Sequence, residues 1–177
     1  MISYREITER IKNNNGLVTA LNVLDKAITY ITVLVYLTFL IYGFLQIPED
    51  KGLLLYRSIL IPGVSFIIVS VYRKLLSAPR PYEVYGFTPA LKKDTKGKSF
   101  PSRHVFSIFI VAFTVFQAFP VAGAVICVLG FLLAIIRVVG GVHFIKDVVA
   151  GFFMALIISI VCYGIFCGVF GLVMLPF

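Results

Sequence analysis

Phe100 to Asp147 reads FPSRHVFSIFIVAFTVFQAFPVAGAVICVLGFLLAIIRVVGGVHFIKD. From Val105 to Ile136 it is predominantly apolar and is interrupted by Pro120, so it predicts two hydrophobic helices, His104 to Pro120 and Val121 to Val139, joined by a turn. The ends of this hairpin are polar. One is Pro101-Ser102-Arg103-His104; the other is Arg137-Val-Val-Gly-Gly-Val-His143-Phe-Ile-Lys-Asp147. A hairpin returns both ends to the same face, and these ends hold both histidines of the chain. The four-residue spacing of His143 and Asp147 stacks them on one side of a helix. A carboxylate so placed holds one imidazole nitrogen and leaves the other to react.

The surrounding chain has the composition of a membrane protein. It has 177 residues, of which 60% are hydrophobic, and its mean hydropathy is +1.01, far outside the range of soluble domains. Upstream of the hairpin, apolar spans are expected at Ala27 to Ile47 and Leu53 to Tyr72, with Pro62 inside the second. Downstream a fifth runs from Val148 to Leu175. The expected fold is therefore all-α, an integral membrane bundle of about five transmembrane helices. With no Gly/Ser- or Pro-rich linker, it is one domain spanning 1–177.

Residues 1–24 read as an interfacial amphipathic segment, with Ile2, Ile7 and Ile11 at helical spacing. No signal-peptide pattern is present there. Asp25, Lys26 and Arg57 are expected to snorkel toward head groups. Residues 73–103 form a long polar connection and are expected to be an active-site loop, with Tyr82 and Tyr85 as interfacial anchors. Gly164 and Gly168 are available for close helix contact, a weak signal in Gly-rich apolar sequence. Cys127, Cys162 and Cys167 fall in apolar runs, which favours buried free thiols over a disulfide or a metal site.

Only 14% of residues are charged, yet the formal net charge is +8. The basic excess is therefore packed into short connections and calls for an anionic partner. Because those connections lie between apolar spans, lipid head groups or phosphorylated lipids fit better than nucleic acid. Oligomeric state is not encoded in any readable feature. With five crossings, the connection after the second span and the junction between the fourth and fifth share a face, together with the N-terminus.

On that face Arg73, Lys74, Arg80, Arg103 and Arg137 offer cations for phosphate oxygens, the arginines as planar forks. Ser102 adds a hydroxyl, and the start of the third span adds backbone N–H groups. This is a cradle for a phosphoryl group in transfer. His143, oriented by Asp147, has the setting of a nucleophile that forms a phosphohistidine. His104 is placed to protonate the departing oxygen and then activate water. No carboxylate cluster suggests a metal, and no cofactor is required. The non-enzymatic alternative is a protein that binds or transports anionic lipids.

Together these motifs resemble the type 2 phosphatidic acid phosphatase superfamily, which includes glucose-6-phosphatase and the vanadium haloperoxidases. The family pattern has a Lys followed after six residues by Arg-Pro, then Pro-Ser-Gly-His, then Ser-Arg, five residues, His, three residues, Asp. Arg80-Pro81, Pro101-Ser102 with His104, and Arg137 with His143 and Asp147 match in order, covering about Arg73 to Gly151. Arg73 stands at the Lys position, with Lys74 one place off register. Arg103 replaces Gly beside the leaving group and favours a diphosphate or a second anionic moiety. Ile136 replaces Ser.

The resemblance implies a metal-independent lipid phosphatase in a helical bundle, of which this chain lacks the first of six spans. Its substrate candidates are phosphatidylglycerophosphate, phosphatidic acid, diacylglycerol diphosphate and undecaprenyl diphosphate. It also implies a cell-membrane protein with the site on the extracytoplasmic face, against the positive-inside rule, which places the Lys/Arg-rich face in the cytoplasm.

Overall fold

The computed structural model describes residues 4–45, 52–92 and 95–170. Among the described residues the chain is helical without strands. The helices are α1 (Tyr4–Lys12), α2 (Asn15–Leu45), α3 (Gly52–Leu76), α4 (Pro81–Val84), α5 (Arg103–Phe116), α6 (Pro120–Val139) and α7 (Ile145–Phe170). Within α2, α3, α6 and α7 lie apolar segments long enough to cross a bilayer. The protein is an all-α integral membrane bundle, and its outward surface follows from its solvent: Tyr30, Leu34, Val121 and Val128 are all at least 65% exposed. In hydrocarbon such residues carry no penalty, and helices associate instead through close packing and polar contacts.

The expected five apolar helices are all present, but α5 differs from the others. It has 14 residues, so at 1.5 Å per residue it covers only about 21 Å of a hydrocarbon core of about 30 Å. Gln117 to Phe119 end it, and Pro120 opens α6 at a position where a missing N–H costs nothing. α5 is short because it is a central post. Val105, Phe106, Phe109, Ala112 and Val115 are at most 1% exposed, and α2, α3, α6 and α7 pack around it. Gly123 of α6 and Gly151 of α7 permit close approaches, since a Cβ there would lie 2.6 Å from the Phe116 Cα and 2.8 Å from the Ser102 carbonyl oxygen, respectively. Gly164, by contrast, faces open space, so it makes no close helix contact. Gly168 lies where side chains are outside the described residues.

Several expectations about the polar residues need correction. The 1–24 segment is not one interfacial element: α1 alone is separate, and α2 begins at Asn15 and continues for 31 residues. Asp25 does not reach for head groups but pairs with Arg137, with Nε to Oδ1 at 2.7 Å. Lys26 is exposed. Arg57 does not snorkel either. It is 7% exposed, its Nη2 donates to the Tyr163 carbonyl at 3.4 Å, and its guanidinium lies 5.4 Å from the Tyr163 ring centre. Cys127 and Cys162 are half-buried free thiols, and the side chain of Cys167 falls outside the described residues.

α1 docks on the protein. Thr8 is 1% exposed against Gly141, whose φ of +77° and lack of a Cβ allow the approach. The ring of Tyr4 meets Phe144 edge-on with centres 5.5 Å apart, and its hydroxyl accepts the Ile145 N–H at 3.2 Å. The side that seats α1 is thus Tyr4 and Thr8, while Ile7 points outward at 37% exposure and Ile2 lies outside the described residues. α1 thereby rests on the loop that carries His143.

Candidate active site

Three segments meet at the α1 end of the bundle: the end of α3 with the connection that follows it, the start of α5, and the α6–α7 loop. The connection is shorter than expected, since Arg73 to Leu76 still belong to α3, and it contains the single turn α4. Two buried arginines give it shape. Arg73 donates through Nη1 to the Pro101 carbonyl and through Nη2 to the Lys98 carbonyl. Arg80 donates through Nε to Gly97 O at 3.0 Å, through Nη1 to Val142 O at 3.0 Å, and through Nη2 to Lys98 O at 3.4 Å. Glu83 closes the turn by accepting the N–H groups of Arg80 and Gly97, at 2.8 and 2.9 Å. The Tyr82 hydroxyl donates to Thr95 O, and Tyr85 stacks beside Tyr4, so neither is merely an interfacial anchor.

The meeting of these segments leaves a cavity of about 440 Å³ lined by Arg73, Lys74, Arg80, Arg103, His104 and His143, with Lys96 and Lys98 from the connection. Among the described residues no carboxylate lines it. Both histidines therefore face one space, although 39 positions separate them in the chain. Arg73 is 7% exposed and Lys74 is exposed, so the Arg is the built-in cation and the Lys the free one. A second, apolar groove of about 260 Å³ lies between α2, α3, α5 and α6 and shares Arg103 and His104 with the first. The guanidinium of Arg103 lies 5.4 Å from the ring centre of Phe66, which also lines that groove.

His143 is not on a helix, as its spacing to Asp147 suggested. The chain breaks at Gly140-Gly141, and α7 starts at Ile145. The pairing forms nonetheless: His143 Nδ1 lies 3.3 Å from Asp147 Oδ2. That oxygen also accepts the Phe144 N–H at 2.9 Å and the Ser99 hydroxyl. The carboxylate favours the tautomer with hydrogen on Nδ1, which leaves the Nε2 lone pair available. Burial pulls the His143 pKa down to about 4; the Asp147 hydrogen bond works against this shift and the charge of Arg80 adds to it. The imidazole is accordingly neutral at physiological pH.

Two expected phosphate ligands sit elsewhere. Arg137 is 4% exposed and does not line the cavity; its Nε and Nη2 engage both oxygens of Asp25. Ser102 is fully buried at the cap of α5, its N–H donates to Asp147 O at 2.8 Å, and its Oγ has no partner among the described residues. Other participants were not anticipated. Ser99 holds Asp147, Ser70 lines the charged cavity, and Asn22 ties α2 to the connection through Ala90 O and the Lys92 N–H, both at 3.0 Å. Among the described residues no group of three or more His, Cys, Asp or Glu gathers in a way that suits a metal ion.

A bundle with this order of Arg, His, and His with Asp defines a family. The profile of the PAP2 superfamily matches residues 52–168, and the chain belongs to that superfamily. The fold is similar to the crystal structure of LpxE from Aquifex aeolicus, with a TM-score of 0.64, 23% identity, and 91% of this chain covering 92% of that one. It is also similar to a transmembrane PAP2-type phosphatidylglycerolphosphate phosphatase from Bacillus subtilis, with a TM-score of 0.54, 21% identity, and coverage of 92% and 91%. No functionally curated protein matches the sequence.

Proposed function

We propose that this protein is a membrane-embedded, metal-independent phosphatase of lipid phosphates or diphosphates that works through a phosphohistidine. The observation that carries the reading is the shared cavity: a neutral, carboxylate-held His143 and a second imidazole face one space ringed by cations. In the first step the Nε2 lone pair of His143 attacks phosphorus, and the bond to the lipid oxygen breaks as His104 gives that oxygen a proton. In the second step His104 takes a proton from water, whose oxygen attacks phosphorus. The N–P bond breaks, releasing phosphate and returning both histidines to their starting states. Arg73, Arg80, Lys74 and Arg103 balance the charge on the equatorial oxygens. Ser102 and Arg137, outside the cavity lining, support the site from behind: the Ser102 N–H holds the Asp147 carbonyl, and the Arg137 carbonyl accepts the His143 N–H.

The apolar groove suits a lipid tail. It leaves the charged cavity at Arg103 and His104 and runs between Thr29, Val33, Phe66 and Val111, so the scissile oxygen lies where charge gives way to hydrocarbon. The test is phosphate release in EDTA from a panel that pairs a monophosphate and a diphosphate on each of several tails. Release from at least one lipid is expected, and Ser107→Trp, which fills the groove, should raise KM for long tails by about tenfold with little change in kcat. Silence of the parent on every lipid would favour the binding or transport reading.

The site is assigned to the extracytoplasmic face of the cell membrane. Arg73, Arg80, Arg103 and Arg137 hold carbonyls, an aromatic ring and a carboxylate, so their position reflects the site as much as insertion bias. A cysteine at Lys96, in a background lacking the native cysteines, should react with an impermeant thiol reagent in intact cells. Labelling only after lysis would place the site in the cytoplasm.

A further inference from the structure

We propose that Asp25, on α2, is a positioning residue for the phosphoryl site, anchoring Arg137 and, through its backbone, the loop that carries His143. The inference rests on the phosphatase reading above. The two residues are 112 positions apart, yet they pair closely: Arg137 Nη2 donates to Asp25 Oδ2 at 2.9 Å, and Nε lies 2.7 Å from Oδ1. Their side chains are 5% and 17% exposed, so little water competes for either.

One charge-assisted hydrogen bond from Nη2, with the opposite charge close to Nε as well, ties the guanidinium to α2. The backbone of Arg137 is pinned as well. Its carbonyl accepts the N–H groups of both Val142 and His143 at 3.2 Å, and Arg80 holds the carbonyl of Val142. The charge of Arg137 lies near enough to act on His143. Thus one residue links α2, the end of α6 and the histidine loop, and Asp25 determines how its side chain lies. A permanent cation buried beside Arg80 also requires a counter-charge, and Asp25 supplies one from a different helix. Asn22, one turn earlier, grips the connection at Ala90 and Lys92. α2 therefore supports the site from two points, although it contributes nothing to the three sequence motifs.

The experiment compares Asp25→Asn, Asp25→Glu, Asp25→Ala, Arg137→Ala and the Asp25→Ala/Arg137→Ala double variant. Each is purified in detergent and checked by thermal unfolding, and each is assayed for turnover and for equilibrium binding of orthovanadate, an analogue of the phosphoryl group in transfer. Asp25→Asn keeps the shape and removes the charge. It should lower kcat and kcat/KM together by about tenfold or more, weaken vanadate binding by a similar factor, and leave the unfolding midpoint near the parent's. Asp25→Glu should recover part of the loss. In the Arg137→Ala background, Asp25→Ala should cost less than about threefold, because the residue it positions is gone.

Equal costs of Asp25→Ala in the two backgrounds would overturn the proposal. So would an Asp25→Asn variant within about threefold of the parent in both assays, or one whose losses track a lowered unfolding midpoint. Failure of the phosphatase reading looks different: the parent itself releases no phosphate, while vanadate binding still reports on the pair.

Discussion

Replacing His143 by alanine is expected to cut phosphate release from the preferred lipid by at least about 10⁴-fold, because the variant has no atom on which to carry the phosphoryl group. Asp147→Asn should cost about 10²- to 10⁴-fold while leaving His143 in place. An amide at Asp147 can present its NH₂ to Nδ1 and favour the tautomer whose proton blocks Nε2. The pH profiles separate orientation from protonation. Burial depresses the His143 pKa to about 4, with Asp147 opposing the shift, so the parent's nucleophile loses its lone pair only as pH falls through that value. Removing the carboxylate removes an influence that raises the pKa, so the acid limb in Asp147→Asn should stay put or move lower. The measurement is kcat/KM from pH 4 to 9 for the parent and Asp147→Asn. An acid limb that moves upward in the variant, or a His143→Ala enzyme within tenfold of the parent, would remove the assigned roles.

The convergence of these residues was legible in the sequence because it depends on spacing within short segments. Arg80-Pro81, Pro101-Ser102 with His104, and His143 with Asp147 each sit at the end of an apolar run, and counting runs was enough to put them on one face. Helix edges were less legible. α2 runs unbroken from Asn15 to Leu45 because nothing between Gly16 and Ala27 stops a helix, whereas hydropathy alone starts the apolar span at Ala27. α5 was given a full span on apolarity alone, whereas the helix has only 14 residues and is packed among α2, α3, α6 and α7.

Least legible were partners that meet across the bundle. Nothing near Asp25 in the chain points to Arg137, and nothing near Asn22 points to Ala90. Arg57 reads as a snorkelling residue until Tyr163 is seen under it. Ser99 had a faint signal, two places before Pro101 beside a histidine motif, but a serine there is equally suited to a turn. In a membrane protein such errors have a common cause. Buried polar groups are satisfied by other helices, and hydropathy, which finds the helices, carries no information about which faces meet.

The second large effect is expected at Arg80, where charge and shape are separable. Arg80 is 3% exposed and reaches three carbonyls, those of Gly97, Lys98 and Val142. It therefore joins the connection to the histidine loop while lining the cavity. A lysine keeps the charge but offers a single nitrogen on a flexible stem, which cannot span the two segments and meet phosphate at once. Arg80→Lys should accordingly lose about 10²- to 10³-fold in kcat, comparable with removing a donor from a transition-state charge site. Arg80→Ala should lose at least as much and should also destabilise the protein, because carbonyls lose a charged donor worth about 1.5–3 kcal/mol per bond. Kinetics on the preferred lipid, with thermal unfolding in the same detergent, separate the two effects. If Arg80→Lys keeps more than about a third of parental kcat, charge alone suffices and the planar fork at this position is dispensable.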